Sequence, residues 1–387
     1  MTACIRLVRA DGLIYTYVPS STPLAVPSIG SFHSRIAFAA AHVVADPLRT
    51  EDPVTKPAID WEATIAYREY LWSLGFGVAE AMDTAQRGGG LNWPLALELI
   101  RRSSAAATAR GGLIFCGAGT DHLPAGAVAT LPQVIDAYLE QSEAIEAAGG
   151  RIIVMASRAL AAAARHPDDY ANVYSRVLEQ VRQPVILHWL GPMFDPALTG
   201  YWGSTDTAEA TEACLRVMHT HKQKIDGIKI SLLDADLEIS MRRRLPRGVR
   251  MYTGDDFNYD RLIRGDEFGS SDALLGIFDA IAPVAAAALS ALDRGDDESY
   301  ERFFAPTIPL SRHIFSAPTQ YYKTGIVFLA YLNGFQRHFR MVGGFEGARS
   351  ISHLCQLFVL ADQAGVLADP DLATRRMRRF LQYEGVE

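Results

Sequence analysis

Nowhere does this 387-residue chain offer the roughly 18 uninterrupted apolar residues that a membrane-spanning helix needs. Positive charge is not in excess either. The formal net charge of −7 gives no electrostatic pull toward nucleic acid or anionic lipid, so neither nucleic acid nor membrane is expected as a partner. The one basic run, MRRRLPRGVR at 241–250, lies between apolar stretches and reads as a solvated helix end. Cysteine is scarce. Cys4, Cys116, Cys214 and Cys355 stand far apart without CxxC or CxxH spacing, which argues against a disulfide frame or a zinc site and fits thiols in a reducing compartment. The N-terminal MTACIRLVRADGLIYTYVPS is interrupted by Arg6, Arg9 and Asp11, which does not suit the apolar stretch of a signal peptide. Low-complexity tracts are missing, and 10% aromatic residues argue against disorder. A soluble, cytoplasmic protein is expected.

What is present is ample core material, 49% hydrophobic residues against 21% charged. Residues 4–18 alternate apolar and polar around Asp11-Gly12, which predicts a hairpin. A Pro/Ser-rich connector (19–31) follows. From there short apolar strands alternate with amphipathic helices. Strands are predicted at 35–43, 75–82, 112–119, 151–157, 184–190, 226–233, 249–254 and 267–274. Helices are predicted at 61–72, 93–110, 130–148, 167–182, 206–222, 235–244 and 258–264, with an eighth in DAIAPVAAAALSALDRGD. Eight strands at the spacing of βα units spell a (β/α)₈ TIM barrel. The expected organisation is hairpin and connector over 1–31, barrel over 32–295, and a C-terminal helical extension over 296–387. The extension's aromatic-rich faces read as packing or subunit contact.

In such a barrel the chemistry sits at the carboxyl ends of the strands. Read in order, those ends carry His42; Glu80, Asp83 and Thr84; Asp121 and His122; Ser157 and Arg158; His188 and Trp189; Lys229 and Ser231; Thr253, Asp255 and Asp256; Ser270 and Ser271. Lys229 stands out, because KIDGIKISLLD (224–234) is otherwise largely apolar there. Strand alternation puts Ile228, Ile230 and Leu232 on the helix-facing side and Lys229 and Ser231 inside the barrel. Burial favours a lysine's neutral form, and a neutral amine can attack a carbonyl carbon to form a Schiff base. The competing reading is a structural lysine paired to a carboxylate such as Glu80 or Asp255. Periodicity leaves both open.

Several segments resemble the dihydrodipicolinate synthase/N-acetylneuraminate lyase superfamily of class I aldolases. DGIKIS is similar to that family's strand-six GIKE segment, with Lys229 on its Schiff-base lysine, and MYTGDDFNYDRLIRGDEFGSSDAL resembles its LSGDD strand and the segment after it. APVAAAALSALDRGDDESY resembles the next helix. The likeness spans roughly residues 35–345 and is strongest from 184 to 300. It implies a lyase or aldolase and a homo-oligomer, in a branch whose substrate the likeness does not name. Departures are specific. DTAQRG (83–88) stands at the family's GTTGES loop, with Thr84 on the first threonine, Ala85 on the second and Asp83 on a glycine. His188 stands where the family has its acid/base tyrosine, and Met193 where it has a carboxylate-binding arginine. A histidine can carry the tyrosine's role. With that clamp lost, a neutral hydroxylated carbonyl compound such as a keto-sugar suits the acidic, histidine-rich rim better than pyruvate.

The expected catalytic residues are therefore Lys229, His188 and Thr84, with Asp83, Asp121, Arg158, Ser231, Asp255 and Ser270 contacting a small carbonyl substrate, and no cofactor. Two alternatives stand beside this. His42, Glu80, Asp121, His122, His188 and Asp255 are the right types for a divalent metal ion, though without compact spacing. The barrel could also bind a ligand without turnover. The glycine-rich RGGGLNW (87–93) lacks a P-loop lysine-serine pair and reads as a flexible lid.

Overall fold

The alternating residues at the front pair as predicted. In the computed structural model, which describes residues 4–20, 22–25, 32–124 and 128–386, β1 (Ile5–Val8) and β2 (Ile14–Tyr17) form an antiparallel hairpin. Residues 21 and 26–31 of the connector lie outside the described residues. Its remaining part is fixed by Asp362, which accepts hydrogen bonds from the Tyr17 hydroxyl (2.6 Å) and the Ser20 amide (2.8 Å).

The repeating units then run β3 (Ala37–Ala40), α1 (Trp61–Ser73), β4 (Gly77–Glu80), α2 (Trp93–Arg110), β5 (Ile114–Ala118) and α3 (Leu131–Ala147). Next come β6 (Arg151–Val154), a short α4 (Arg158–Ala163), α5 (Pro167–Gln180), β7 (Val185–Leu190) and α6 (Thr207–Thr220). The series closes with β8 (Ile225–Ser231), α7 (Ala235–Arg242), β9 (Arg250–Thr253), α8 (Tyr259–Arg264), β10 (Asp272–Leu275) and α9 (Ile277–Asp293). Strands β3 to β10 are parallel and close on themselves, β10 pairing with both β9 and β3. This is the (β/α)₈ barrel. Helix starts follow local chemistry: the side chains of Asp60, Asn92, Thr130 and Asp234 each accept from a backbone amide of the first turn.

The barrel interior is graded by size. Phe38, Phe115 and Tyr252 meet at ring-centroid distances of 5.2 and 5.9 Å and, with Ile153, Ile186 and Leu274, fill the floor. Toward the carboxyl ends the inward positions become small or polar: Ala40, Gly117, Gly254 and Gly276, with His188 and Lys229 among them. That taper leaves room at one end only.

Five further helices follow: α10 (Asp297–Phe304), α11 (Thr307–Ile314), α12 (Tyr322–Leu332), α13 (Ile351–Gln363) and α14 (Pro370–Tyr383). They share one continuous apolar core with α1, α9 and the hairpin. Among the described residues, no helix is long and apolar enough to cross a membrane.

The eighth barrel strand differs most from expectation. It begins at Asp272 rather than 267, because Asp266–Gly269 is consumed by a turn in which Gly265 and Gly269 take φ of +84° and +144°. Gly265 could not carry a side chain, since a Cβ there would lie 2.4 Å from the Gly269 carbonyl oxygen.

One buried acid outside the barrel sets a pH dependence. Glu238 of α7 is 1% exposed and accepts from Ser271 Oγ at 2.7 Å. Burial raises its carboxyl from 4.5 to about 8, against the lowering effect of the Ser271 and Thr253 hydroxyls. The folded state therefore holds a proton that the unfolded chain has released. The stabilisation is complete below pH 4.5 and is lost as pH rises through about 8. Urea melts at pH 5, 6.5 and 8 are expected to fall by a few kcal/mol in the native protein and by less in Glu238→Gln, which cannot ionise.

Candidate active site

Lys229 is held by β8, with Ile228 and Ile230 on the helix side at 0% and 1% exposure and the amine directed into the barrel. It is 8% exposed, and among the described residues no carboxylate comes within 4.0 Å of its nitrogen. Burial pushes its pKa down from 10.5 to about 8, an effect that the fields of Asp256 and Asp83 partly oppose. The structural-lysine reading is thereby excluded for Glu80 and Asp255. Both are engaged elsewhere.

The amine has space because of one glycine. A Cβ on Gly254 would lie 2.7 Å from Lys229 Cε and 2.3 Å from Ser231 Oγ. His188 is directly opposite Lys229 in the β7–β8 register, and its Nε2 is 3.3 Å from Ser231 Oγ. Burial, then the neighbouring ammonium, holds this imidazole well below its usual pKa, so it is neutral. Asp256 is buried, receives the Ile277 amide at 2.8 Å, and has its carboxyl raised by burial. Ala81 and Leu233 follow two of the strand ends with φ of +52° and +55°. Such backbone strain in non-glycine residues persists where surrounding structure enforces it.

The remaining wall comes from the extension, whose aromatic-rich faces are expected from the sequence to serve packing or subunit contact. Phe315 and Tyr322 stack at 4.4 Å, and a Cβ on Gly276 would lie 3.0 and 3.1 Å from them, so this pair caps the end of β10. Phe194 packs edge-on against both. The Tyr322 hydroxyl is 2.7 Å from Thr84 Oγ1. Next to it, buried Lys323 donates to Asp83 Oδ1 at 2.8 Å. The signal was available: Lys323 lies in a helix whose other ten residues are also buried, the same anomaly that marks Lys229.

The structure brings Lys229, His188, Ser231, Thr84 and Asp83 to one end of the barrel, with Asp256, Tyr322 and Lys323 added. The other expected substrate-contacting residues are placed as follows. Ser270 precedes β10 and so lies at the amino rim, opposite the lysine. Asp255 accepts from the Phe257 and Asn258 amides and from the Asn258 side chain, spending its carboxylate on the turn into α8. Arg158 begins α4 with its side chain 64% exposed and bonded to Asp195 at 2.5 Å. Both Asp121 oxygens are held by Arg87 at 2.7 Å.

The six residues weighed as metal ligands are dispersed. His42 Nδ1 bonds Asp279 at 2.8 Å, and Glu80 faces outward in a bidentate pair with Arg68 at 2.9 Å. His122 bonds Gln141 at 2.7 Å. Asp121, His188 and Asp255 have the partners given above. Among the described residues no group of three or more histidine, cysteine or acidic side chains is placed to hold a metal ion. The glycine-rich segment is clamped: Gln86 donates to the Val342 carbonyl at 2.5 Å, and a Cβ on Gly90 would lie 2.7 Å from the Gly343 amide. Two surface hollows of about 520 and 640 Å³, beside Arg243 and Trp61, contain none of these strand-end groups.

The closed parallel (β/α)₈ barrel defines the class by fold: it is the fold of dihydrodipicolinate synthase-family structures. A putative dihydrodipicolinate synthetase from Pseudomonas aeruginosa superimposes with a TM-score of 0.60 at 16% identity, covering 84% of this chain and 99% of that one. YagE from E. coli K12, a dihydrodipicolinic acid synthase-family protein in complex with pyruvate, gives 0.63 at 14%, over 91% and 99%. The Acinetobacter baumannii dihydrodipicolinate synthase with pyruvate gives 0.64 at 14%, over 86% and 100%. The chain itself belongs to the family described as "Protein of unknown function (DUF993)", which matches residues 5–386. No curated protein matches it. The fold expected from the sequence resemblance is thus upheld.

Gly254→Ala tests the packing around the amine. It is expected to lower stability by about 1–3 kcal/mol through overpacking and to reduce reductive methylation of Lys229 several-fold under limiting reagent. Undiminished labelling of that lysine, read by peptide mass spectrometry, would show that Gly254 does not make its space.

Proposed function

We propose that this chain is a Schiff-base-forming aldolase or lyase acting on a small carbonyl substrate, keto-sugar or 2-keto acid derived. One observation carries the reading: Lys229 is buried in the barrel mouth with no carboxylate partner among the described residues and a pKa pushed down to about 8. A fold shared with dihydrodipicolinate synthase-family structures, two of them holding pyruvate, supports it by analogy.

In this scheme the neutral amine adds to the carbonyl carbon, and the carbonyl oxygen takes up two protons in turn and leaves as water. The nitrogen keeps one proton, giving an iminium ion. A base then removes the proton of the substrate hydroxyl on the β-carbon, the far carbon of the Cα–Cβ bond to be cleaved. That oxygen becomes a carbonyl as the C–C bond breaks, and the bonding electrons reach the iminium nitrogen as an enamine. Protonation of the enamine carbon and hydrolysis return the free lysine. His188, neutral and opposite Lys229, is the acid/base group, and Thr84, hydrogen-bonded to Tyr322, assists it. No cofactor is required. A homo-oligomer in the cytoplasm belongs to the same reading.

Borohydride treatment in the presence of keto-acids and keto-sugars tests this. An irreversible mass addition is expected on the tryptic peptide containing Lys229, and none in Lys229→Ala. Absence of an adduct with every carbonyl compound tried would end the proposal.

A further inference from the structure

Three cationic side chains near the carboxyl ends of the strands, Arg87, Arg158 and Lys323, have carboxylates of their own. Arg87 is held bidentately by Asp121, and Arg158 is spent on Asp195 at the surface. Lys323, the cation that α12 delivers beside Thr84, is paired to Asp83 at 2.8 Å, with side-chain exposures of 6% and 29%. Lys229 has to lose its charge to attack. When it regains one as an iminium ion, the carboxyl groups of Asp256, whose burial favours its neutral form, and of Asp83 lie within electrostatic range. The site is therefore charge-balanced before any substrate enters.

A carboxylate or phosphate on the substrate would add an uncompensated negative charge close to the Asp83 carboxylate and the Asp256 carboxyl, in surroundings where burial magnifies repulsion. To be matched, it would have to displace Asp83 from Lys323. A hydroxyl group meets no such obstacle. It can donate to Asp83 and accept from Lys323 without breaking their pair, and Thr84, Tyr322 and Ser231 offer further neutral partners.

We infer that the substrate is an uncharged polyhydroxylated aldehyde or ketone of the sugar class, and that the Asp83–Lys323 ion pair is the element that rejects carboxylates. The inference rests on the Schiff-base reading and narrows it.

Dihydroxyacetone and hydroxypyruvate form a matched pair of probes, one bearing CH₂OH where the other bears a carboxylate. Borohydride-trapping rates at Lys229, each divided by the rate for Nα-acetyl-lysine to remove intrinsic reactivity, are expected to favour dihydroxyacetone at least about tenfold. Asp83→Asn, which frees Lys323, should shift that ratio toward hydroxypyruvate by a similar factor. Lys323→Met, which leaves Asp83 unpaired, should shift it the opposite way. Equal or faster trapping of hydroxypyruvate by the native protein would overturn the inference, as would shifts of the same sign in both variants. If neither probe forms an adduct, the Schiff-base reading fails on its own. Calorimetric binding of the two probes to Lys229→Ala then decides the charge preference separately: tighter dihydroxyacetone supports it and tighter hydroxypyruvate overturns it.

Discussion

An ammonium ion taken out of water must find a counter-charge or lose its proton, and that constraint organises this molecule around Lys229. Two lysines are buried at the same end of the barrel, and they resolve the constraint in opposite ways. Lys323 finds a counter-charge in Asp83 at 2.8 Å. Lys229 has no such partner among the described residues, and its pKa falls instead. On the proposed reading, the contrast separates a paired lysine from the reactive one.

The surrounding structure serves that difference. Large rings at the floor and small residues at the mouth create space at one end of the cylinder, and Gly254 leaves the lysine side chain room to extend. Strongly paired groups lie just outside: Arg68 with Glu80, and Arg87 with Asp121, Gln141 and two carbonyls, fix the β4 loop that carries Asp83 and Thr84. The C-terminal extension is part of the site. It lays Phe315 and Tyr322 over β10, and its Val342–Phe345 stretch holds the glycine-rich loop through close backbone contact at Gly90.

Much of this was legible in the residues. Apolar runs at βα spacing gave the barrel, and period-two alternation around Lys229 gave the direction of its side chain. The same alternation, applied to β4, would have turned Glu80 outward beside inward Ala79. Legibility ended where strands end. Past Thr253 the alternation rule lapses, so Asp255 and Asp256 could not be told apart, and it is Asp256 that reaches the lysine's field while Asp255 caps a turn. Ser270 was misplaced because a glycine turn used residues that looked like strand. Tyr322 and Lys323 carried a readable anomaly, but only tertiary folding could bring to the barrel mouth a helix that begins some ninety residues after β8 and whose Lys323 lies 240 residues from Asp83.

The account stands or falls on the protonation of one amine. Lysine side-chain NMR, with Lys229→Arg to assign the signal, measures it directly across pH 6 to 11. The expected result is a Lys229 resonance titrating near 8, well below the solvent-exposed lysines. A midpoint at or above the ordinary value of 10.5 would mean a permanently charged, paired group and would contradict the account.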